Sequence, residues 1–300
     1  MNANGVYFGI DLGGSSVKSV VVTEGGNVLS QRQADHDPDT RLDWSVKIRE
    51  VYQRWVKEFG LPAGVGLSAP GLAGRNGRSI AHMPGRLDGI EGFDFTDFLK
   101  PPKPVPVCND AHAALLGESW AGAAKGYDSV IMLTLGTGVG GAAIVNGRML
   151  CGRIGRAGHF GHTSLDPFGA PDICNCPGSL ERVIGNCTVQ ERTQGKFETT
   201  HALYKAHKAG DPFATKVWLD SIRGLAAGIA SFINIVDCEA VIIGGGIAAA
   251  GEDLFKPLQG FLDQFEWRPG GVQAKLIHAQ LGEYAGAIGA AYNSVGEPKI

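Results

Sequence analysis

The sequence predicts an α/β protein of two lobes, each opening with the same β-meander. Two stretches carry this reading. Residues 6–33 read as strand, turn, strand, turn, strand, around "FGIDLGGSSVKSVVV" and the hairpin signal "EGGN". Residues 130–150, "VIMLTLGTGVGGAAIVNGRML", repeat the order: strand, Gly-rich turn, strand, Asn-Gly turn, start of a third strand. Residue identity between the stretches is low, but the shared pattern is that of an ancient duplication. Two such lobes would face one another across a cleft. The chain has 300 residues, 44% of them hydrophobic, which is enough for a large core or for two.

The remaining elements follow in order. Residues 41–59 place Leu42, Val46, Ile48, Val51, Trp55 and Phe59 at helical spacing. "GVGLSAPG" (64–71) reads as a short strand ending in a Pro-Gly turn, and residues 72–104 read as long loops. "VPVCND" (105–110) is a strand followed by the helix "AHAALLGESWAG". Residues 152–187 are loop-like and hold clustered His and Cys. Residues 213–236 form a helix with an apolar stripe. Strand, glycine turn and helix come next in "AVIIGGGIAAAGEDLFKPL", then a last strand in "VQAKLIHAQL" and a last helix in "YAGAIGAAYNSV". The lobes are expected at 1–117, completed by the C-terminal helix at about 282–300, and at 118–281.

Composition excludes several function classes. The formal net charge of -3 leaves no basic surplus for nucleic acid. No signal peptide is evident, and no apolar stretch approaches the roughly 18–20 residues of a membrane span. The six cysteines are scattered apart from one C-x-C pair, Cys174 and Cys176, which reads as reduced and cytoplasmic. The 45 glycines exceed the usual share of roughly 7% and sit in clusters, which suggests close backbone approach to something.

Three glycine turns end apolar strands: Gly13–Ser16, Gly136–Gly141 and Gly244–Gly246. A backbone without side chains can lay its N–H groups against phosphate oxygens. One such turn is ordinary; three point to nucleotide binding. "GTGVGG" matches G-x-G-x-x-G through Gly136, Gly138 and Gly141. The dinucleotide fingerprint, however, opens a helix, and "AAIVNG" is a strand with a hairpin turn.

Two acids stand at strand ends. Asp11, beside the first turn, is placed to hold Mg²⁺ through water; on its own it would read as a turn cap. Asp110, between a strand and a helix, has two readings. It is a helix N-cap, or a general base taking a proton from an alcohol that attacks a phosphoryl group.

"DLGGSSVKS", "GLSAPG", "ND", "LGTGVGGAAIVNG", "GRAGHFGH" and "CNCPGSLE" occur in the order found in the ROK family of repressors, open reading frames and sugar kinases, and the chain resembles that family from about Tyr7 to about Tyr292. The resemblance implies an actin-like, hexokinase-type (ribonuclease H-like) fold with ATP and sugar in the cleft. It implies phosphate contacts at Asp11, Gly13, Gly14, Ser15 and Lys18, and at Gly136, Thr137, Gly138 and Gly140. The adenosine-side turn would be Gly244, Gly245 and Gly246. The catalytic base falls on Asp110, and sugar contacts on Asn109, His162, Glu181 and the turn at Ser68, Pro70 and Gly71. A homodimer is also implied.

Two departures matter. His159 stands where family kinases carry a sugar-binding Glu. "CNCPGSLE" is two residues shorter than the family zinc motif, with Ser179 where the third Cys would lie. His162, Cys174 and Cys176 supply three of the four ligands a structural zinc wants, and Cys187 could add a fourth only if the following helix bent it back. Zinc is therefore expected to be absent or weak. The expected function is an ATP- and Mg²⁺-dependent hexose or hexosamine kinase with no nucleic-acid or membrane partner. The alternative is a sugar-binding protein with a regulatory role or lost catalysis. Family regulators carry an N-terminal helix-turn-helix region, for which the first strand near Val6 leaves no room.

Overall fold

The computed structural model describes residues 5–83 and 85–296. Residues 1–4 of the expected first lobe and 297–300 of the helix expected at about 282–300 lie outside the described residues. Two units make up the chain. The first is Met1–Gly126, Arg148–Ala157 and Gln280–Ile300; the second is Tyr127–Gly147 and Gly158–Ala279.

In the first unit, β1 (Val6–Leu12), β2 (Ser16–Thr23) and β3 (Val28–Asp35) form the antiparallel meander. The "EGGN" hairpin closes with the Gly26 amide on the Thr23 carbonyl. Then come α1 (Asp43–Phe59), β4 (Gly64–Ala69), β5 (Leu72–Ala73), β6 (Ile80–His82), α2 (Phe95–Leu99), β7 (Val107–Asn109) and α3 (Asp110–Ala121). The sheet order is β3-β2-β1-β4-β7, with β1, β4 and β7 parallel. The long loops expected at 72–104 are thus interrupted by the β5–β6 pair and by α2, whose N-cap Asp94 accepts from the amides of Thr96 and Asp97. The expected lobe boundary at 117/118 falls inside α3, which runs on to Ala121.

The face of α1 differs from the expected stripe: Leu42 precedes the helix, Val46 leaves the buried face, and Trp44 and Tyr52 join it. Val46 is 49% exposed, while Trp44 and Tyr52 are buried beside Ile48, Val51 and Trp55 against Phe8, Ile10 and Leu67. Each such side chain contributes roughly 1.5–3 kcal/mol when fully buried.

β8 (Val130–Leu135) and β9 (Val139–Val145) of the second unit, with β10 (Arg148–Met149) from the Arg148–Ala157 segment counted with the first, repeat the meander. The Asn146-Gly147 turn has positive φ at both residues, the form such a hairpin demands. Helices α4 (Leu180–Ile184), α5 (Val189–Arg192), α6 (Thr200–Lys208) and α7 (Pro212–Val236) lead to β11 (Ala240–Gly244), α8 (Glu252–Phe265) and β12 (Lys275–His278). The region 152–187, expected as loop, therefore contains α4 and a 3₁₀ turn at Phe160–His162. The sheet order is β10-β9-β8-β11-β12, with β8, β11 and β12 parallel. Both sheets share one order, third-second-first-fourth-fifth strand, so the duplication seen in the meanders extends to the parallel strands.

α7 corrects one expectation, because its 25 residues are long and apolar enough to cross a membrane by length and composition. Its apolar face is instead spent on protein: Trp218, Ile222, Leu225 and Ile229 are buried where α7 packs against α4, α6 and α8.

The last helix, α9 (Ala285–Asn293), belongs to the first unit. It packs on β1, β4 and α3 so closely that a side chain at Gly9 or Gly66 would strike its backbone carbonyls at Ala287 and Ala290. Part of the glycine surplus therefore serves helix–sheet contact.

Candidate active site

The first unit gathers its acids at the carboxyl ends of its parallel strands, where ligands bind in open α/β sheets. Parallel register puts Asp11 of β1 beside Ser68 of β4, and Ala69 beside Asn109 of β7. Ser68 Oγ donates to Asp11 Oδ1 at 2.5 Å. Burial pushes the Asp11 carboxyl up to about 6, the Ser68 bond opposes this, and the nearby charge of Asp110 adds to it. Gly286, at the start of α9, lies against the same carboxyl; a methyl there would come within 2.7 Å of Asp11 Oδ2.

The start of α3 bears on the N-cap reading of Asp110. Asn109 is the N-cap: its Oδ1 accepts from the amides of Ala111 and His112 at 2.9 and 3.3 Å. Its Nδ2 donates to the Gly71 carbonyl at 3.0 Å, tying the Ser68–Gly71 turn to the helix. Asn109 is buried, and one amide hydrogen remains by count for a sugar hydroxyl. Asp110 sits one residue into the helix, exposed, with Oδ1 also accepting from the Ala111 amide at 2.8 Å.

The first glycine turn closes with the Gly13 amide on the Ser16 carbonyl. His36, which the sequence reading did not single out, is buried and reaches the Gly13 carbonyl through Nε2 at 3.0 Å. Lys18 pairs across β1–β2 with Asp11 and forms an ion pair with Glu283 at 3.0 Å. Gly14 has open space where a side chain would lie, and so do Gly136 and Gly246, one glycine in each of the three turns.

In the second unit, parallel register sets Gly244 of β11 beside Thr134 of β8, so the other two glycine turns leave adjacent strand ends. Gly245 needs positive φ (86°) and lies against the Leu135 backbone, which admits only glycine. The Gly136–Gly138 turn is held from outside. Asn186 and Cys187 donate their amides to the carbonyls of Gly136 and Thr137, and Glu181 Oε2 accepts from the Val139 amide at 3.0 Å. Glu181 fills the space a side chain at Gly138 would need. Structure thus adds a duty for Glu181: it braces the turn from the first residues of α4. Gly140 lies within β9, beyond the turn itself.

His159 precedes the 3₁₀ turn Phe160–His162 and is partly buried. His162 Nδ1 lies 2.8 Å from Asp172 Oδ2. Asp172 was not anticipated from sequence, although it stands two residues before the C-x-C pair. Burial works against its ionisation, but the His162 bond and the amides of Cys176 and Cys174 outweigh this and hold the carboxyl below the usual range. Among the described residues, ligand atoms of His162, Asp172 and Cys174 converge within 4.8 Å. Cys176 and Cys187 are not part of that group, and Ser179 carries no thiol. This donor set does not fit a tetrahedral zinc held by one His and three thiolates.

Paired five-stranded sheets of one order, with glycine turns and carboxylates at the ends of their parallel strands, define an actin-like α/β protein of the hexokinase type. The chain belongs to the ROK family, whose family model matches residues 7–294. It is 31% identical over 303 residues to a glucokinase of Thermotoga maritima, covering 94% of this chain and 95% of that one. It is 28% identical to an N-acetylmannosamine kinase of Escherichia fergusonii, covering 96% and 98%. A solved structure of a ROK family glucokinase from Streptomyces griseus, in complex with glucose and AMPPNP, superposes with a TM-score of 0.76 at 29% identity, covering 97% and 99%.

Proposed function

We infer that the chain is an ATP-dependent sugar kinase that phosphorylates a hexose or hexosamine hydroxyl, with Asp110 as general base. One observation carries the residue assignment. Asn109 takes over the helix cap, which leaves Asp110 exposed at a strand end beside the Asp11–Ser68 pair. Relatives named glucokinase and N-acetylmannosamine kinase support the substrate class. The turn glycines with open space at Gly14, Gly136 and Gly246 support backbone contact with phosphates.

In this reading Asp110 accepts the proton of the attacking hydroxyl, the sugar oxygen bonds to the γ-phosphorus, and ADP leaves. Turn amides stabilise the charge that spreads over the phosphoryl oxygens. Asp11 suits Mg²⁺ held through water, because Asp110 and burial both disfavour its bare anion and a divalent cation would offset them. Bound Mg²⁺ would neutralise phosphate charge. The sugar contacts implied by the family resemblance are Ser68, Pro70, Gly71 and Asn109 in the first unit and His159, His162 and Glu181 in the second. Six free thiols among the described residues suit a cytoplasmic setting, and a homodimer is part of the same reading.

The test is ADP release measured over glucose, N-acetylglucosamine, N-acetylmannosamine, fructose and allose, with light scattering for the dimer. Turnover on at least one sugar, dependent on Mg²⁺, is expected. Sugar binding without turnover on any of them would replace the kinase reading with that of a sugar-binding regulator.

A further inference from the structure

In most metal-held loops the ion does two things: it pins the loop and it orients the histidine that ligates it. Here the loop from Thr163 to Leu180 is pinned by its own backbone. Leu180 donates to the Thr163 carbonyl, Leu165 and Asp166 to that of Gly178, Gly178 to that of Ala170, and Asp172 to that of Cys176. At its centre the Asp172 side chain is 1% exposed. Its Oδ1 accepts from the amides of Cys174 and Cys176 at 2.8 and 2.9 Å, and its Oδ2 faces His162 Nδ1 at 2.8 Å. Both carboxylate oxygens are engaged, and they engage the residues that a metal would have gathered.

We propose that Asp172 takes the place of a metal in this chain, as the positioning residue that fixes the ring and tautomer of His162. The consequence is chemical. A metal on Nδ1 would leave hydrogen on Nε2, so the ring would offer a donor to whatever lies beyond it. Asp172 can only accept, so neutral His162 carries its hydrogen on Nδ1 and presents Nε2 as an acceptor. The ring is therefore suited to receive a hydrogen bond from a hydroxyl, and a substrate group that only accepts is disfavoured there. The missing third thiolate at Ser179 and the buried carboxylate at Asp172 then belong together.

The reading of His162 as a sugar contact rests on the proposed kinase function, but its tautomer and the metal content do not. Three measurements on the full chain test the idea. Metal analysis of protein purified in zinc-supplemented buffer is expected to find well under one zinc per chain. Nitrogen-15 NMR of the histidine rings, assigned with His162→Gln, is expected to show that the neutral ring of His162 carries its hydrogen on Nδ1 and none on Nε2. The double variant Cys174→Ser/Cys176→Ser should leave that signal and the melting temperature unchanged. Asp172→Asn should alter the His162 signal and raise the sugar KM at least tenfold with little change in the KM for ATP. One tightly held zinc per chain, or a neutral wild-type His162 ring with its hydrogen on Nε2, overturns the proposal whether or not any variant folds. A preparation that phosphorylates no sugar yet shows the expected tautomer refutes the kinase reading and leaves this one standing.

Discussion

Asn109 caps α3 so that Asp110 does not have to. The cap amide bonds at 2.9 and 3.3 Å go to Asn109 Oδ1, and its Nδ2 reaches back to the Gly71 carbonyl. Asp110→Asn therefore keeps the fold and removes the base: kcat should fall by about 10²–10⁴ with the melting temperature nearly unchanged. Asn109→Ala should behave differently, lowering stability by about 1–2 kcal/mol through the lost cap and raising the sugar KM as the Ser68–Gly71 turn loosens. Full turnover by Asp110→Asn on the best sugar would end its assignment as base.

Asp11 sets a pH dependence of stability. Its folded value of about 6 lies above the ordinary 3.8, so between these pH values the folded state holds more protons than the unfolded one. Its contribution is favourable at low pH and is lost as pH rises through about 6, by up to about 3 kcal/mol. Asp11→Asn, which keeps a partner for Ser68, should melt higher than wild type at pH 7.5 in the absence of Mg²⁺ and nucleotide, with the gap closing near pH 4. The same variant should lose most Mg²⁺-dependent turnover. Parallel melting curves across that range would show that the carboxyl is not perturbed.

Gly136 and Gly138 lie two residues apart and should fail in different ways. At Gly136 the side-chain direction is open, so Gly136→Ala should fold normally and, if the turn holds phosphate as proposed, raise the KM for ATP roughly tenfold. At Gly138 a methyl collides with Glu181, so Gly138→Ala should break the Val139–Glu181 bond and cost about 1–3 kcal/mol of stability as well. An unchanged ATP KM for Gly136→Ala would remove this turn from the phosphate site.

His159 should set sugar preference. A glutamate there only accepts hydrogen bonds, whereas neutral imidazole offers one donor and one acceptor. His159→Glu is expected to reorder kcat/KM among glucose, N-acetylglucosamine, N-acetylmannosamine, fructose and allose. Identical rank orders for wild type and variant would show that the residue does not choose the substrate.

The sequence by itself determined the features whose causes are local. Alternating apolar runs broken by "GGSS", "EGGN", "GTG" and "VNG" specified both meanders, because turn chemistry and the two-residue period of a strand act within a few residues. Asp11, Asp110 and the three glycine turns could be picked out for the same reason: each stands where a strand stops. Tertiary structure decided what these groups touch. Asp11 meets Ser68 through a parallel register 57 residues apart in sequence. Val46 turned outward because Trp44 and Tyr52 gave α1 a better-filling face on the sheet. Part of the glycine surplus, Gly9 and Gly66, serves the close approach of α9. Glu181 reached the Gly136–Gly138 turn, and Asp172 closed on His162, only because a folded loop brought them there. No periodicity announces such pairings, since a single carboxylate carries no pattern until backbone register and packing give it a partner.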